Sequence, residues 1–149
     1  MAKKHSQLRR RTARSADIQR LAREDGRYLP QAFYFVYEGM DYKLRHLGEF
    51  RHLTAAELLD AIRELALRRF GLLARVVLEQ WGVSRTDDFG EIVYLLIEHG
   101  LLFRDDQDSK GDFKDVYSFR EVFDDTYRVP GAVRERGRTS LKIILDMWP

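Results

Sequence analysis

The loop of residues 106–112 carries the side chains best suited to bind a metal ion, because it contains three aspartates, a serine and a glycine. When its glycine is taken as the sixth position of a calcium loop, Asp106 and Asp108 become the first and third. The fifth position is then Lys110, a cation, and the twelfth is Tyr117, where a bidentate glutamate is required. Two ligands are missing, so we interpret the loop as a polar connection and expect no metal and no cofactor.

The four histidines lack the neighbours that acid–base catalysis requires. His5 lies in a basic run, whereas His46, His52 and His99 lie at or near predicted helix ends. Helix dipoles stabilise protonated histidines at C-terminal ends, so capping explains His46 and His99. The chain has no cysteine and no zinc-protease, nucleophile-elbow or phosphate-loop motif. We expect a protein that is not an enzyme, with a site assembled from distant residues as the alternative.

Residues 1–14 contain six cations and no acid. The cations are Lys3, Lys4, Arg9, Arg10, Arg11 and Arg14. This composition predicts a basic, disordered arm that binds the phosphates of RNA or DNA without reading base sequence. A solubilising tail is the alternative. Residues 15–130 contain 16 cations and 22 acids, so attraction to nucleic acid is expected only outside them.

The first half of the chain has a helical pattern. Ser15 predicts the start of a short helix that ends at Gly26. Pro30 suits the first turn of a second helix, which runs to about Leu47 before Gly48. The second helix is apolar on two opposite sides, which predicts a central position in a bundle or a surface shared with a partner.

Residues 54–119 show a different order of elements. Thr54 and Glu57 have capping-box spacing and predict a helix to about Phe70, and another helix follows as far as Gly82. Thr86 or Asp87 is expected to cap the next helix, which continues through His99.

Two apolar runs, residues 101–104 and 116–119, predict the strands of one hairpin around the acidic loop. The resulting order of helices and hairpin resembles a winged helix, a scaffold best known for DNA binding. The predicted fold is therefore mainly α, with a helical N-terminal half and a winged-helix-like half that contains one β-hairpin.

The charges argue against DNA binding by this half. With the apolar stripe of the helix at 86–99 turned inward, the outward face consists of Glu91, Tyr94, Leu95 and Glu98. Carboxylates on a groove-facing surface would be repelled by phosphate. The outward face is therefore predicted to bind a protein partner of basic character, and an ordinary solvated helix face is the alternative.

The last residues, 131–149, are predicted to be a linker followed by a short amphipathic segment. Leu141, Ile144, Leu145 and Trp148 have helical spacing. A helix this short is unstable alone in water and has to dock, either on this chain, on a partner or on a second copy. Trp148 is the candidate anchor. Residues 15–130 are predicted to form one domain.

No apolar run approaches the ~20 residues of a membrane span, and residues 1–5 lack the apolar core of a signal peptide. We therefore expect a cytoplasmic protein that does not bind membranes.

Several short stretches between residues 15 and 130 resemble a family of small uncharacterised proteins from planctomycetes and verrucomicrobia. The stretches are Asp25-Gly26-Arg27-Tyr28, Glu64-Leu65-Ala66-Leu67, Trp81-Gly82-Val83, Asp88-Phe89-Gly90-Glu91-Ile92-Val93, Gly100-Leu101-Leu102, Asp112-Phe113 and Val116-Tyr117-Ser118-Phe119. The resemblance implies no activity, because no function is assigned to the family. The leading hypothesis is a protein-interaction module, and the second is nucleic-acid binding by the arm.

Overall fold

The computed structural model describes the backbone of residues 2–125 and the side chains of residues 14–125. Its α-helices are α1 (Ala2–Asp25), α2 (Pro30–Leu47), α3 (Ala55–Phe70), α4 (Ala74–Gln80) and α5 (Thr86–Glu98). Two 3-10 helices cover Gly71–Leu73 and Lys110–Phe113, and a π-helical segment covers Arg120–Asp125. This part of the chain contains no helix with the length and apolar character that crossing a bilayer requires.

Two predicted regions fall partly or wholly outside this description. The segment 131–149, with Trp148, lies outside the described residues. Of the expected arm of residues 1–14, the structure describes the backbone of residues 2–14, which forms the first part of α1. The side chains of residues 1–13 are outside the description.

The central helix is α2, which contacts α1, α3 and α5. Pro30 begins it, and Gly48 ends it with a left-handed φ of 66° and an amide that donates to the last carbonyls. Phe33 and Phe35, which lie on different sides of the helix, are both almost fully buried. A central α2, one of the two predicted alternatives, is confirmed.

The start of α3 is confirmed as well. The Glu57 amide donates to Thr54 Oγ1 at 3.2 Å, and the Thr54 amide donates to Glu57 Oε1 at 3.4 Å. Further along, α3 crosses α2 closely, because a Cβ added at Gly39 would lie 2.9 Å from Ile62 Cγ1. The two helices are therefore close at Gly39, where a larger residue would force Ile62 to shift.

The predicted hairpin is wrong, since residues 2–125 contain no strand. The amides of Leu101 and Leu102 donate to the carbonyl of Leu96, 2.8 and 3.2 Å away, and complete the end of α5. The amide of Val116 donates instead to Thr86 Oγ1 at 3.0 Å. Because these groups already have partners, the two runs do not pair, and the winged-helix-like half is replaced by helices and turns.

The acidic loop folds back onto α5 instead of projecting as a wing. Ser109 caps the 3-10 helix Lys110–Phe113, and that helix turns Phe113 into the core. Phe113 packs against Gly90, where an added Cβ would lie 2.8 Å from Phe113 Cβ. Burial of Phe113 therefore holds the loop against α5.

The helix α5 begins at Thr86, one or two residues before the predicted start, because Arg85 is the N-cap. Asp88 accepts hydrogen bonds from the amides of Ser84 and Arg85 at 2.9 and 3.1 Å. Thr86 and Asp87, the predicted caps, instead accept from the amides of residues 116 and 115.

Candidate functional site

An open groove of about 850 Å³ lies between α2, α5 and the two loops that follow these helices. Its lining includes Met40 and Leu44 from α2, and Val93, Tyr94 and Ile97 from α5. These positions follow helical spacing on each helix, so the amphipathic pattern that builds the core continues into the groove. A groove of this size with an apolar lining lies within the range of ligand and peptide sites.

Two phenylalanines at the groove are left in solvent. Phe50 in the α2–α3 loop is 97% exposed, and Phe103 in the loop after α5 is 90% exposed. Full burial of a phenylalanine contributes about 1.5–3 kcal/mol, and neither side chain gains this inside the described fold. Exposed aromatic side chains beside an apolar groove characterise surfaces that bind other molecules.

An ionic cluster holds the loop that carries Phe50. Arg51 donates to both carboxylate oxygens of Glu57 at 3.1 and 2.7 Å and to the carbonyl of His52 at 3.0 Å. Hydrogen bonding from Arg51 lowers the pKa of Glu57 to about 2. Arg51 also pairs with Glu49 at 3.3 Å. Arg51 thus binds the loop to the first turn of α3, and its pair with Glu49 joins the residues on the two sides of Phe50.

Asp108 organises the loop that carries Phe103. Its carboxylate accepts from the Asp105 amide at 3.1 Å, and its carbonyl accepts from Arg104 at 3.0 Å. The guanidinium of Arg104 in turn lies 5.9 Å from the ring centre of Tyr94. Finally, His52 Nε2 lies 2.5 Å from Asp108 Oδ2, so one contact joins the two loops.

The charged lining of the groove is mostly acidic. Four carboxylates, those of Glu38, Asp41, Asp108 and Asp112, stand against Arg14 and Arg51. Glu38 is paired with Arg69, and Asp41 is paired with Arg45. Because these pairs are exposed, they neutralise the local field only in part.

The structure separates the four outward residues predicted on α5. Tyr94 lines the groove, and its hydroxyl is buried without a hydrogen-bond partner. Glu91 lies away from the groove lining and binds Lys110 at 2.7 Å and Arg27 at 3.4 Å. Leu95 packs against the core, and only Glu98 is free in solvent. One of the four therefore belongs to the groove.

Of the predicted basic arm, only the side chain of Arg14 is described. It lies over the ring of Tyr37, 5.2 Å from the ring centre, and it also lines the groove. The Tyr37 hydroxyl donates to the carbonyl of Leu101 at 2.8 Å, and burial raises its pKa. Arg14 is thus bound to the folded body.

Sequence reasoning missed Phe50 and Phe103, the two most exposed aromatic residues of the described chain. Phe50 had a recognisable signal, because it is a lone aromatic between Glu49 and Arg51 in a helix connection. Phe103 lies in an apolar run that predicts a strand, and this pattern gives no sign of its exposure. An aromatic residue at the tip of a polar connection is uncommon enough to mark a surface of interest.

A smaller, polar cavity of about 290 Å³ lies at the beginning of α5. Its Arg75 is bound to Asp124 at 2.6 Å and to Glu79 at 3.3 Å, so its charge is balanced from within the protein. Among the described residues, no three His, Asp or Glu side chains are placed to hold a metal ion.

Comparison with protein-family models, with curated proteins and with solved structures finds no match for this chain, so the family resemblance stays a prediction.

Proposed function

We propose that this protein is an interaction module that binds an apolar, helical segment of another protein in the groove between α2 and α5. The observation that carries the proposal is the pair of solvent-exposed rings, Phe50 and Phe103, beside an apolar lining. An amphipathic helix in such a groove would insert side chains spaced by three or four residues and cover both rings.

A protein segment fits the groove better than a small substrate does. Substrate sites need a few polar groups that converge on the reacting atoms. Here the polar groups of Arg51, His52 and Asp108 bind one another and the loops that carry them. The part of the groove that remains free to bind another molecule is apolar, and an apolar surface favours association with another apolar surface.

The acidic lining indicates the chemistry of the partner. With four carboxylates against two arginines, the groove favours an apolar segment flanked by Lys or Arg. Rim charges of this kind act mainly on the rate of association and on specificity, and their effect decreases with salt.

Affinity purification from native cells treated with nuclease tests the proposal. The variant is Phe50→Ser/Phe103→Ser, and the matched control is Leu73→Ser/Val76→Ser. The control residues are 56% and 49% exposed and do not line the groove. Both variants remove two exposed apolar side chains, so a loss of non-specific hydrophobic binding should occur in both.

We expect one set of proteins to be retained by wild type and by the control and to be lost from the groove variant. Direct binding of a purified member should then weaken at least about tenfold, which corresponds to ~1.4 kcal/mol for two aromatic contacts. Equal retention by all three proteins would contradict the proposal.

A second candidate function is weak, sequence-neutral binding of RNA or DNA by residues 1–14. It is favoured by the position of residues 2–14 in the first part of the 24-residue helix α1, ahead of Ile18, the first buried residue among the side chains that the structure describes in this helix. Retention on a nucleic-acid column should fall steeply with salt. Replacement of the five cations of residues 1–13 by Gln should abolish it, and unchanged retention would rule this candidate out.

A further inference from the structure

We infer that residues 141–148 of this same chain occupy the groove when no partner is bound. The inference rests on the proposed function, because it assigns a resident occupant to the same groove. Of the three predicted docking sites for the short amphipathic segment (this chain, a partner or a second copy), we infer the first.

The apolar pattern of the segment matches what the groove binds. Leu141, Ile144, Leu145 and Trp148 fall at positions i, i+3, i+4 and i+7. These are the anchor positions that a helix uses in a groove. Eight residues of helix are about 12 Å long and do not hold together alone in water, so the segment needs an apolar surface. Phe50 and Phe103 mark the described surface where apolar area is most exposed.

The charges of the two surfaces are complementary. Residues 131–149 contain four cations and two acids, and three of the cations, Arg134, Arg136 and Arg138, directly precede the apolar segment. The groove carries Glu38, Asp41, Asp108 and Asp112 against two arginines. A basic approach to an acidic rim favours this chain's own segment, as it would favour a basic partner.

The connection is long enough. Fifteen residues, 126–140, join the π-helical segment to Leu141. Fully extended they span up to about 50 Å. A domain of this size has a radius of gyration of about 14 Å, so every point of its surface is within reach.

Tethering makes this occupant a strong competitor. A short linker gives its segment an effective concentration in the millimolar range. If the segment fills the groove for about nine tenths of the time, the apparent Kd of any competing ligand rises about tenfold. The module would then respond only to partners that bind tightly or are abundant.

Paramagnetic NMR on the full chain tests the inference. The protein has no cysteine, so Asp146→Cys introduces a single site for a nitroxide label, on the side of the segment opposite the apolar stripe. We expect broadening of the amide signals of Val93, Tyr94 and Leu102, but not of those in α4. The broadening should be independent of concentration and should disappear when Ile144→Ser/Trp148→Ser is added.

Mixing labels separates the possible occupants. Isotope-labelled protein without nitroxide, combined with nitroxide-labelled protein without isotope, should show no broadening at the groove. Broadening in this mixture would mean that a second copy supplies the segment, and it would overturn the inference. Absence of groove broadening in the singly labelled protein, or broadening of α4 amides instead, would overturn it as well.

A binding measurement completes the test. The probe is a fluorescein-labelled synthetic peptide of residues 138–149, added to wild type and to Ile144→Ser/Trp148→Ser. We expect the variant to bind the peptide about tenfold more tightly, because its own segment no longer competes. Equal affinity for the two proteins would contradict the inference.

The two proposals can fail separately. Loss of partners from the groove variant without nitroxide broadening would leave the proposed function in place and remove the resident occupant. Nitroxide broadening without any lost partner would leave the occupant and overturn the proposed function.

Discussion

The two ends of α5 differ in what they contact: the beginning is held by hydrogen bonds within the protein, whereas the last turns line an open groove. At its beginning, Asp88 accepts from the Tyr28 hydroxyl at 2.7 Å and from two backbone amides, and Thr86 and Asp87 bind the amides of residues 116 and 115. Towards its end, Tyr94 and the apolar residues beside it line an open groove.

This difference separates stability from recognition. Polar groups at the beginning of α5 have hydrogen-bond partners within the protein, and Thr86 is also buried, so removing one leaves its partner unsatisfied. The two exposed rings beside the groove, Phe50 and Phe103, are already in contact with water, so changing them costs the fold little and alters mainly what can bind. The following predictions test this division, from the largest expected effect to the smallest.

The largest contrast is between two phenylalanines ten positions apart. Phe113→Ala should reduce the free energy of unfolding by about 3–5 kcal/mol, because Phe113 is buried against Gly90. Phe103→Ala should change it by less than about 0.5 kcal/mol, because Phe103 is 90% exposed. Urea denaturation measures both. Similar losses of stability for the two variants would contradict the distinction between residues that stabilise the fold and exposed residues that are free to bind.

The Tyr28 hydroxyl supplies the next effect. Tyr28→Phe should cost about 1.5 kcal/mol, the low end for a hydrogen bond to a charged group, because Asp88 keeps its two amide donors. Burial, with the bond to Asp88, raises the pKa of Tyr28. Phenolate absorbance should therefore show one tyrosine fewer titrating above the usual range in the variant than in wild type. The control is Tyr42→Phe, because the Tyr42 hydroxyl donates to Glu64 at 3.3 Å and accepts from Arg68 at 3.1 Å, and both bonds are longer than the bond to Asp88.

Gly90→Ala gives a smaller effect with a diagnostic sign. Helix propensity alone would make alanine more favourable by about 1 kcal/mol. The added Cβ, however, would lie 2.8 Å from Phe113 Cβ, and such overpacking costs about 1–3 kcal/mol. We expect a net loss of about 1 kcal/mol in thermal or urea unfolding. Gly111→Ala, which meets only Ser109 Oγ at 3.5 Å, should be close to neutral.

The smallest effect concerns the cluster that holds Phe50. Arg51→Gln should raise the pKa of Glu57 from about 2 towards 4.5, as seen in an NMR titration of its carboxyl carbon. Because the folded-state pKa is depressed, this pair stabilises the fold above about pH 4.5 and loses its effect as the pH falls to about 2. Arg45→Gln, which breaks a pair with Asp41, should leave Glu57 unchanged.

The helices were the predictable part of the fold. Pro30 and Gly48 bound α2, and the Thr54–Glu57 capping box starts α3, because each signal acts within a few residues of itself. The candidate site was less accessible. Tyr94 was identified, but Glu91 and Leu95 were grouped with it because helical spacing shows which residues share a face, and not which neighbours cover it.

The sequence by itself determined the bounds of α2, α3 and α5 to within a few residues, since caps, prolines and apolar periods are local and their energies do not depend on distant residues. It did not determine the start of α1, which is predicted at Ser15 and lies at Ala2. Tertiary structure alone decided that residues 101–104 and 116–119 stay apart. The amides of Leu101 and Leu102 donate to the carbonyl of Leu96, and the amide of Val116 donates to Thr86 Oγ1. Phe113, between the two runs, packs against Gly90. An extended segment satisfies its backbone groups with whatever the folded chain brings near, so its pairing depends on contacts that no local pattern encodes.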